Sequence, residues 1–141
     1  MIEKEFIPYK QALALKELGF DEKCFATYRT NAVGSKKPFE HDLDYHTKVE
    51  MSSNVIPINS EYTEESKWIS APLYQQAFRW FREKCDLIGV ILPYLIIGNQ
   101  WYYKVTNRNN NLDLPFEEVF ETYEEAELDC LNKLIEITKT K

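Results

Sequence analysis

The apolar positions along the chain predict a helix near each end. The first segment, residues 8–18, begins with Pro8, which suits a first helical turn, and Gly19 stands where a helix would end. Near the carboxyl end, Thr122 and Glu125 have the spacing of a capping box ahead of apolar residues at helical spacing. We therefore expect a short first helix and a last helix of about four turns.

A third helix is predicted over residues 70–85, where the apolar side chains fall on one arc of a helical wheel. Trp80 and Phe81 lie on that arc, and Arg82 lies on the opposite one. Ser70 is the candidate N-cap residue. We expect this helix to rest on a core, with both aromatic rings buried.

Alternating β-formers and turn residues predict several strands. The pair Gly98–Asn99 suits the positive backbone angles of a tight hairpin turn, and Pro93 would push the first strand of the hairpin toward a sheet edge or a bulge. The stretch after the hairpin is expected to be a polar loop. The predicted strands are residues 24–30, one or two strands in the middle of the chain (roughly 43–50 and, where a second forms, 54–58), a hairpin over 90–106, and 116–120.

Helices and strands succeed one another without a βαβ rhythm, and the connections are short. This order predicts an α+β fold, with an antiparallel sheet and about three helices packed on it. At 141 residues the chain has the size of one domain, so we expect a single domain over residues 1–141.

Charge and hydropathy exclude some classes of function. Seventeen basic against 23 acidic residues give a net charge of -6, the wrong sign for a protein that binds nucleic acids by neutralising phosphates. The sequence contains no apolar signal core and no apolar run long enough to span a membrane. We expect a cytoplasmic protein with no general nucleic-acid binding and no membrane association.

The cysteines offer little chemistry. Cys24, Cys85 and Cys130 are odd in number and far apart in sequence, so neither a disulfide framework nor a metal knuckle is indicated. No sequence neighbour would stabilise a thiolate. We expect reduced thiols that act as small buried apolar groups.

The stretch "EHDLDYH", residues 40–46, is the strongest candidate for metal chemistry. On a strand, Asp42, Asp44 and His46 would share one face and supply two carboxylates and one imidazole, a set that holds Mg, Mn or Fe. The alternative is an ordinary solvated strand face. A metal-dependent hydrolase or nuclease is thus one hypothesis.

Aromatic residues form 14% of the chain and suggest a binding surface. Neighbouring residues of a strand face opposite ways, so one layer cannot bury the whole "WYY" stretch at residues 101–103. Trp101, Tyr103 and Trp68 are the candidate binding residues, because Trp and Tyr dominate interface hot spots. An aromatic pocket that holds a small molecule or nucleotide is a further alternative.

Three stretches, "EFIPYKQALALKELGFDEKCF", "ISAPLYQQAFRWFREK" and "TYEEAELDCLNKLIEI", resemble recurring segments of small uncharacterised proteins encoded by bacteriophages and prophages of anaerobic gut bacteria. The resemblance covers the three predicted helices and brings no catalytic residues. It implies that the chain is the product of a phage accessory gene.

Together these observations favour a non-enzymatic, protein-binding accessory factor of phage or mobile-element origin, acting on a host or phage protein. Inhibition of host defence is one such role. No Gly-rich phosphate loop or nucleophile motif is present, so we predict neither catalytic residues nor a cofactor. The oligomeric state is left open.

Overall fold

The chain has an α+β fold with three α-helices and six strands in its described part, and the strands form two antiparallel three-stranded sheets. The computed structural model describes residues 2–30, 41–45, 58–61, 68–96, 98–114 and 118–140. The predicted α+β class is confirmed, with the strands shared between two sheets. The chain divides into two compact units, residues 1–74 and 75–141. The single domain stays a prediction.

The first unit contains one helix and the first sheet. Its elements are a 3-10 turn (Ile2–Glu5), α1 (Tyr9–Glu17), β1 (Ala26–Thr30), β2 (His41–Tyr45), a second 3-10 turn (Asn59–Glu61) and β3 (Trp68–Ala71). The strands of the sheet lie in the order β2-β1-β3, with β1 paired to both neighbours.

Helix α1 occupies the segment that the sequence predicts. Pro8 is its N-cap residue, and Gly19 follows its last turn with φ 100°. The Phe20 N–H donates to the Leu15 carbonyl at 2.9 Å and the Gly19 N–H to the Lys16 carbonyl at 3.1 Å, the pattern of a Schellman motif. A residue without a side chain is needed at that φ, which explains the glycine.

Buried polar groups tie the first unit together. Tyr28 donates its hydroxyl to the Ile7 carbonyl at 2.7 Å. The buried Asn59 side chain donates to the Phe20 carbonyl at 2.9 Å and accepts from the Ser70 N–H at 3.0 Å. These bonds join segments that are distant in sequence. Each of them also gives a buried backbone group a hydrogen-bond partner.

Ser70 does not cap a helix, contrary to the sequence-based expectation. It is buried inside β3, opposite Thr27 of β1. Pro72 then separates the strand from the helix, which starts at Tyr74. Because a proline disfavours the helical conformation in the residue before it, the helix cannot begin at residue 71.

The second unit contains two helices and the second sheet. Its elements are α2 (Tyr74–Lys84, which starts at the boundary between the units), β4 (Leu87–Tyr94), β5 (Gln100–Asn107), β6 (Leu112–Leu114) and α3 (Tyr123–Lys139). The strand order is β4-β5-β6. Both helices lie on the same side of this sheet, because Phe78 of α2 and Cys130 of α3 both lie against Gly89 of β4.

The predicted hairpin is formed by β4 and β5, but its turn is longer than expected. Tyr94 pairs with Gln100, so the loop covers residues 95–99, and Asn99 has a positive φ of 66°. The segment predicted to be only a polar loop includes β6. Of the strand predicted at 116–120, Phe120 forms an isolated bridge with Trp101, and residues 116 and 117 lie outside the described part.

Both helices of the second unit bury the residues that their patterns predict. Trp80 is 5% exposed and Phe81 is fully buried in α2. Thr122 caps α3, because its hydroxyl accepts from the Glu125 N–H at 3.1 Å. The buried residues of α3 are Ala126, Cys130, Leu131, Leu134 and Ile135.

Candidate functional site

The second sheet has one face covered by helices. Side chains alternate along a strand, and residues directly opposite each other in an antiparallel pair share a face. Trp101, Tyr103 and Val105 therefore share a face with Gly89 and Ile91. Helix α3 contacts both β4 and β5. We call this side the covered face.

Gly89 fixes how closely the helices approach the covered face. A Cβ atom placed on Gly89 would lie 2.7 Å from the Cys130 Sγ atom of α3 and 2.8 Å from a ring carbon of Phe78 in α2. Real Cβ atoms do not approach other atoms so closely. A side chain at residue 89 is therefore incompatible with the present packing of both helices on this strand.

Two of the aromatic residues predicted to bind a partner are engaged inside the unit. Trp101 packs edge-on against Tyr123 with the ring centroids 5.2 Å apart, and Tyr103 stacks on Phe120 at 6.1 Å. The Tyr103 hydroxyl also donates to Oδ2 of Asp129 at 2.8 Å. Both side chains remain half-buried, so their role as binding residues stays a prediction.

Trp68, the third predicted binding residue, belongs to the first unit. It is the first residue of β3, lies opposite Arg29 of β1, and is half-buried. Its role as a binding residue likewise stays a prediction.

The opposite side of the second sheet, which we call the open face, carries apolar side chains that are half-buried or exposed. Val90, at the centre of this face, is 43% exposed. Tyr94 and Tyr102 contact each other edge-on, with the ring centroids 6.1 Å apart. The open face consists of Ile88, Val90, Leu92 and Tyr94 of β4 and Gln100, Tyr102, Lys104 and Thr106 of β5, with the exposed Lys104 directly opposite Val90.

The loop of the hairpin extends this apolar region. Leu95 is 86% exposed and Ile96 is 81% exposed, the highest exposures among the large apolar residues of the described part. No charged residue lies between Asp86 and Lys104 in the sequence. A group of exposed apolar side chains of this size is typical of an interaction site, because a monomeric protein rarely leaves such a patch in water.

The carboxylates proposed to bind a metal lie on β2. The register places Asp42 opposite Arg29 and Asp44 opposite Thr27 of β1. His46 lies outside the described residues.

Among the side chains that the structure describes, no group of three or more His, Cys, Asp or Glu is placed to hold a metal ion. Asp42, Asp44 and His46 do not belong to that part, because the side chains of both aspartates and the whole of His46 lie outside the described residues. A metal site there stays a prediction.

Thr27 is the most unusual polar residue of the first sheet. It is 1% exposed, and its Oγ1 atom has no hydrogen-bond partner among the residues that the structure describes. It stands between Asp44 and Ser70 in the strand register. A buried hydroxyl without a partner costs about 1–3 kcal/mol, yet one such group does not define a binding site.

The three cysteines form no disulfide with one another. Cys24 and Cys130 are buried, as predicted, whereas Cys85 is half-buried. Burial raises the pKa of Cys130 to about 12, with smaller contributions from the negative charges of Asp129 and Glu127. The Cys130 thiol is therefore protonated at neutral pH, which agrees with its predicted role as a buried apolar group.

No protein-family model, curated protein or solved structure matches this chain. None of the helices in the described part is long and apolar enough to cross a membrane.

The sequence predicted that one face of this hairpin would keep an aromatic residue uncovered, but it missed the aliphatic residues that form most of the open face, although a signal for them was present. The stretch "GVILPYLII" has apolar residues at consecutive positions rather than at alternate ones. A strand of that composition has two apolar faces, and a single layer of helices can cover only one of them. The aromatic residues of "WYY" predicted binding residues on β5, whereas the exposed side chains are mainly aliphatic residues of β4 and the loop.

Proposed function

We propose that this chain is a non-enzymatic protein-binding protein, and that it binds its partner through the open face and the exposed loop residues Leu95 and Ile96. The observation that carries the proposal is the exposure of uncharged aliphatic side chains at Val90 and in the loop. Such a surface supplies binding free energy through the burial of apolar area, about 25 cal/mol per Å² before the costs of association.

The chemistry of the surface favours a protein partner over other classes. The chain carries a net charge of -6, which opposes the approach of nucleic acid and of acidic proteins. Aliphatic side chains supply no polar groups that would orient a small molecule. The partner is expected to present an apolar patch whose surroundings are neutral or basic.

The genomic setting that we propose comes from the resemblance of the three helices to phage and prophage proteins. In that setting the chain is an accessory factor that binds a host or phage protein, for example to inhibit a host defence. The helical segments that carry the resemblance lie outside the open face, so the proposed surface and the proposed setting are independent of each other.

Affinity capture with matched variants tests the proposal. Immobilised full-length chain is incubated with a lysate of an anaerobic gut bacterium, beside Val90→Lys on the open face and Gln75→Lys, an exposed position on α2. Both variants change the charge by the same amount. We expect a protein that is retained by the wild type and by Gln75→Lys but lost with Val90→Lys.

Two results would contradict the proposal. One is that every captured protein binds all three baits equally, which would place binding elsewhere on the chain. The other is that nothing is captured while the purified chain turns over phosphodiester or ester substrates with added Mg²⁺ or Mn²⁺, which would favour the hydrolase hypothesis with Asp42, Asp44 and His46.

A further inference from the structure

In the described part of the chain, β4 is an edge strand of its sheet. The backbone hydrogen bonds of the neighbouring strand β5 show which backbone groups of β4 point outward. The Trp101 N–H donates to the Phe120 carbonyl at 2.8 Å, and the Phe120 N–H donates to the Trp101 carbonyl at 2.7 Å. Both polar backbone groups of Trp101 are therefore directed away from β4. Its partner in β4 is Pro93, so this pair is one of the non-hydrogen-bonded pairs of the ladder.

Hydrogen-bonded and non-hydrogen-bonded pairs alternate in an antiparallel ladder. Ile88, Val90 and Leu92 therefore exchange hydrogen bonds with β5. Leu87, Gly89 and Ile91 direct their N–H and C=O groups to the outer edge, where Pro93 adds a C=O group alone. In the described part of the chain, no strand pairs with that edge.

This edge lacks most of the features by which proteins prevent edge strands from pairing. Protected edges are short, carry charges, bulge, or contain proline. Strand β4 is eight residues long, has no charged residue and keeps an unbroken register with β5. Leu87 is fully buried and Pro93 lacks an N–H, so the stretch between them, which contains the outward groups of Gly89 and Ile91, is able to accept another strand.

We propose that a second copy of this chain pairs with β4 in antiparallel orientation, so that two three-stranded sheets join into one six-stranded sheet. A two-fold interface brings the same segment of both copies together. With Val90 on the two-fold axis, Gly89 of each copy faces Ile91 of the other. Each of these two pairs exchanges two backbone hydrogen bonds.

Charge supports a second copy as the occupant of this edge. Each copy carries a net charge of -6, so the repulsion between two copies is lowest where the contacting segments carry no charge. The segment between Asp86 and Lys104 is the longest uncharged stretch of the sequence, and it contains the whole of β4. Pairing there places no like charges opposite each other.

This inference concerns the strand edge and does not rest on the proposed function. The dimer would place the open faces of both copies side by side in one sheet. A monomer with a functional open face and a dimer without another partner are both physically consistent, so the two proposals fail separately.

The test combines sedimentation and hydrogen exchange on the purified wild-type chain. Sedimentation equilibrium from micromolar to millimolar concentration should detect a monomer–dimer equilibrium. Amide exchange of Gly89 and Ile91 should slow by about tenfold or more as the dimer forms, because these N–H groups become bonded across the edge. The inward amides of Val90 and Leu92 should be protected at every concentration.

Variants at the two-fold axis add a second readout. Val90→Lys would place two positive charges directly opposite each other and should weaken the dimer at least about tenfold, whereas the β-branched, neutral Val90→Thr should retain it. The inference is overturned if the wild type is monomeric throughout. It is equally overturned if a dimer forms while the Gly89 and Ile91 amides exchange as fast as in the monomer.

Discussion

Phe81 shows most directly how a single residue supports the fold. Its side chain is fully buried and contacts Trp80 edge-on with the ring centroids 5.0 Å apart. Phe81→Ala should lower the free energy of unfolding by about 3–5 kcal/mol, through lost transfer energy and the cavity left behind. That is a large share of the total of about 5–15 kcal/mol for a domain.

Urea denaturation monitored by circular dichroism measures this loss, and Arg82→Ala on the exposed side of α2 is the control. The control should change stability by about 0.5 kcal/mol or less, because an exposed side chain away from specific contacts contributes little. Equal stability of Phe81→Ala and the wild type would mean that the ring is exposed in solution and that α2 has been assigned the wrong buried side.

Thr27 offers a second test at a single residue, with the opposite expected sign. Valine has the shape of threonine without the hydroxyl, so Thr27→Val removes a buried polar group that lacks a partner. The variant should be as stable as the wild type or more stable by up to about 1–3 kcal/mol. Thr27→Ser keeps the hydroxyl and loses a methyl group, so it should be less stable than either.

A destabilisation of more than about 1 kcal/mol in Thr27→Val would contradict this reading of the structure. It would show that the hydroxyl has a hydrogen-bond partner in solution. The same denaturation experiment on all three proteins decides the question.

At the residue scale, the sequence predicted burial well and missed the specific polar contacts. Trp80 and Phe81 were recognisable because helical periodicity places them on an apolar arc. Thr122 was recognisable because the capping box is a local pattern. The contacts of Asn59 depend on Phe20 and Ser70, which are distant in sequence, so no local pattern could reveal them.

At the scale of elements, the approach of helices α2 and α3 to strand β4 depends on Gly89. Gly89→Ala would place a Cβ atom within 3 Å of both Cys130 and Phe78. We expect a loss of about 1–3 kcal/mol in unfolding free energy, the usual cost of overpacking a core. Adding Cys130→Ala should recover part of the loss, which a double-mutant cycle would measure.

Gly98→Ala is the matched control for this prediction. A Cβ atom at Gly98 meets nothing within 4 Å, so stability should stay within about 0.5 kcal/mol of the wild type. If both alanine variants were equally stable, the helices would pack less closely on β4 than the structure indicates.

The elements that the sequence missed are short strands. Strand β3 has four residues without a clear alternation of apolar and polar positions, and β6 has three residues, too few for its alternation to indicate a strand. Such strands form because a neighbouring strand offers hydrogen bonds and packing, and that neighbour lies elsewhere in the chain. The helices contain their own hydrogen-bond partners, so their local pattern was sufficient to predict them.

At the scale of the whole molecule, exposed apolar residues and net charge act against each other. The chain keeps a net charge of -6 at pH 7, and its isoelectric point is about 5.0. Repulsion between molecules therefore weakens as the pH falls toward 5. The exposed loop residues Leu95 and Ile96 are then free to bring molecules together through apolar contact.

We expect light scattering of the wild type to rise as the pH approaches 5, and the double variant Leu95→Lys, Ile96→Lys to remain dispersed at its own isoelectric point. The control, Gln75→Lys with Asn109→Lys, adds the same charge at two other exposed positions. It should associate at its isoelectric point as the wild type does, because the apolar loop is retained. If the two double variants scatter equally, charge alone governs association, and Leu95 and Ile96 are not a contact surface.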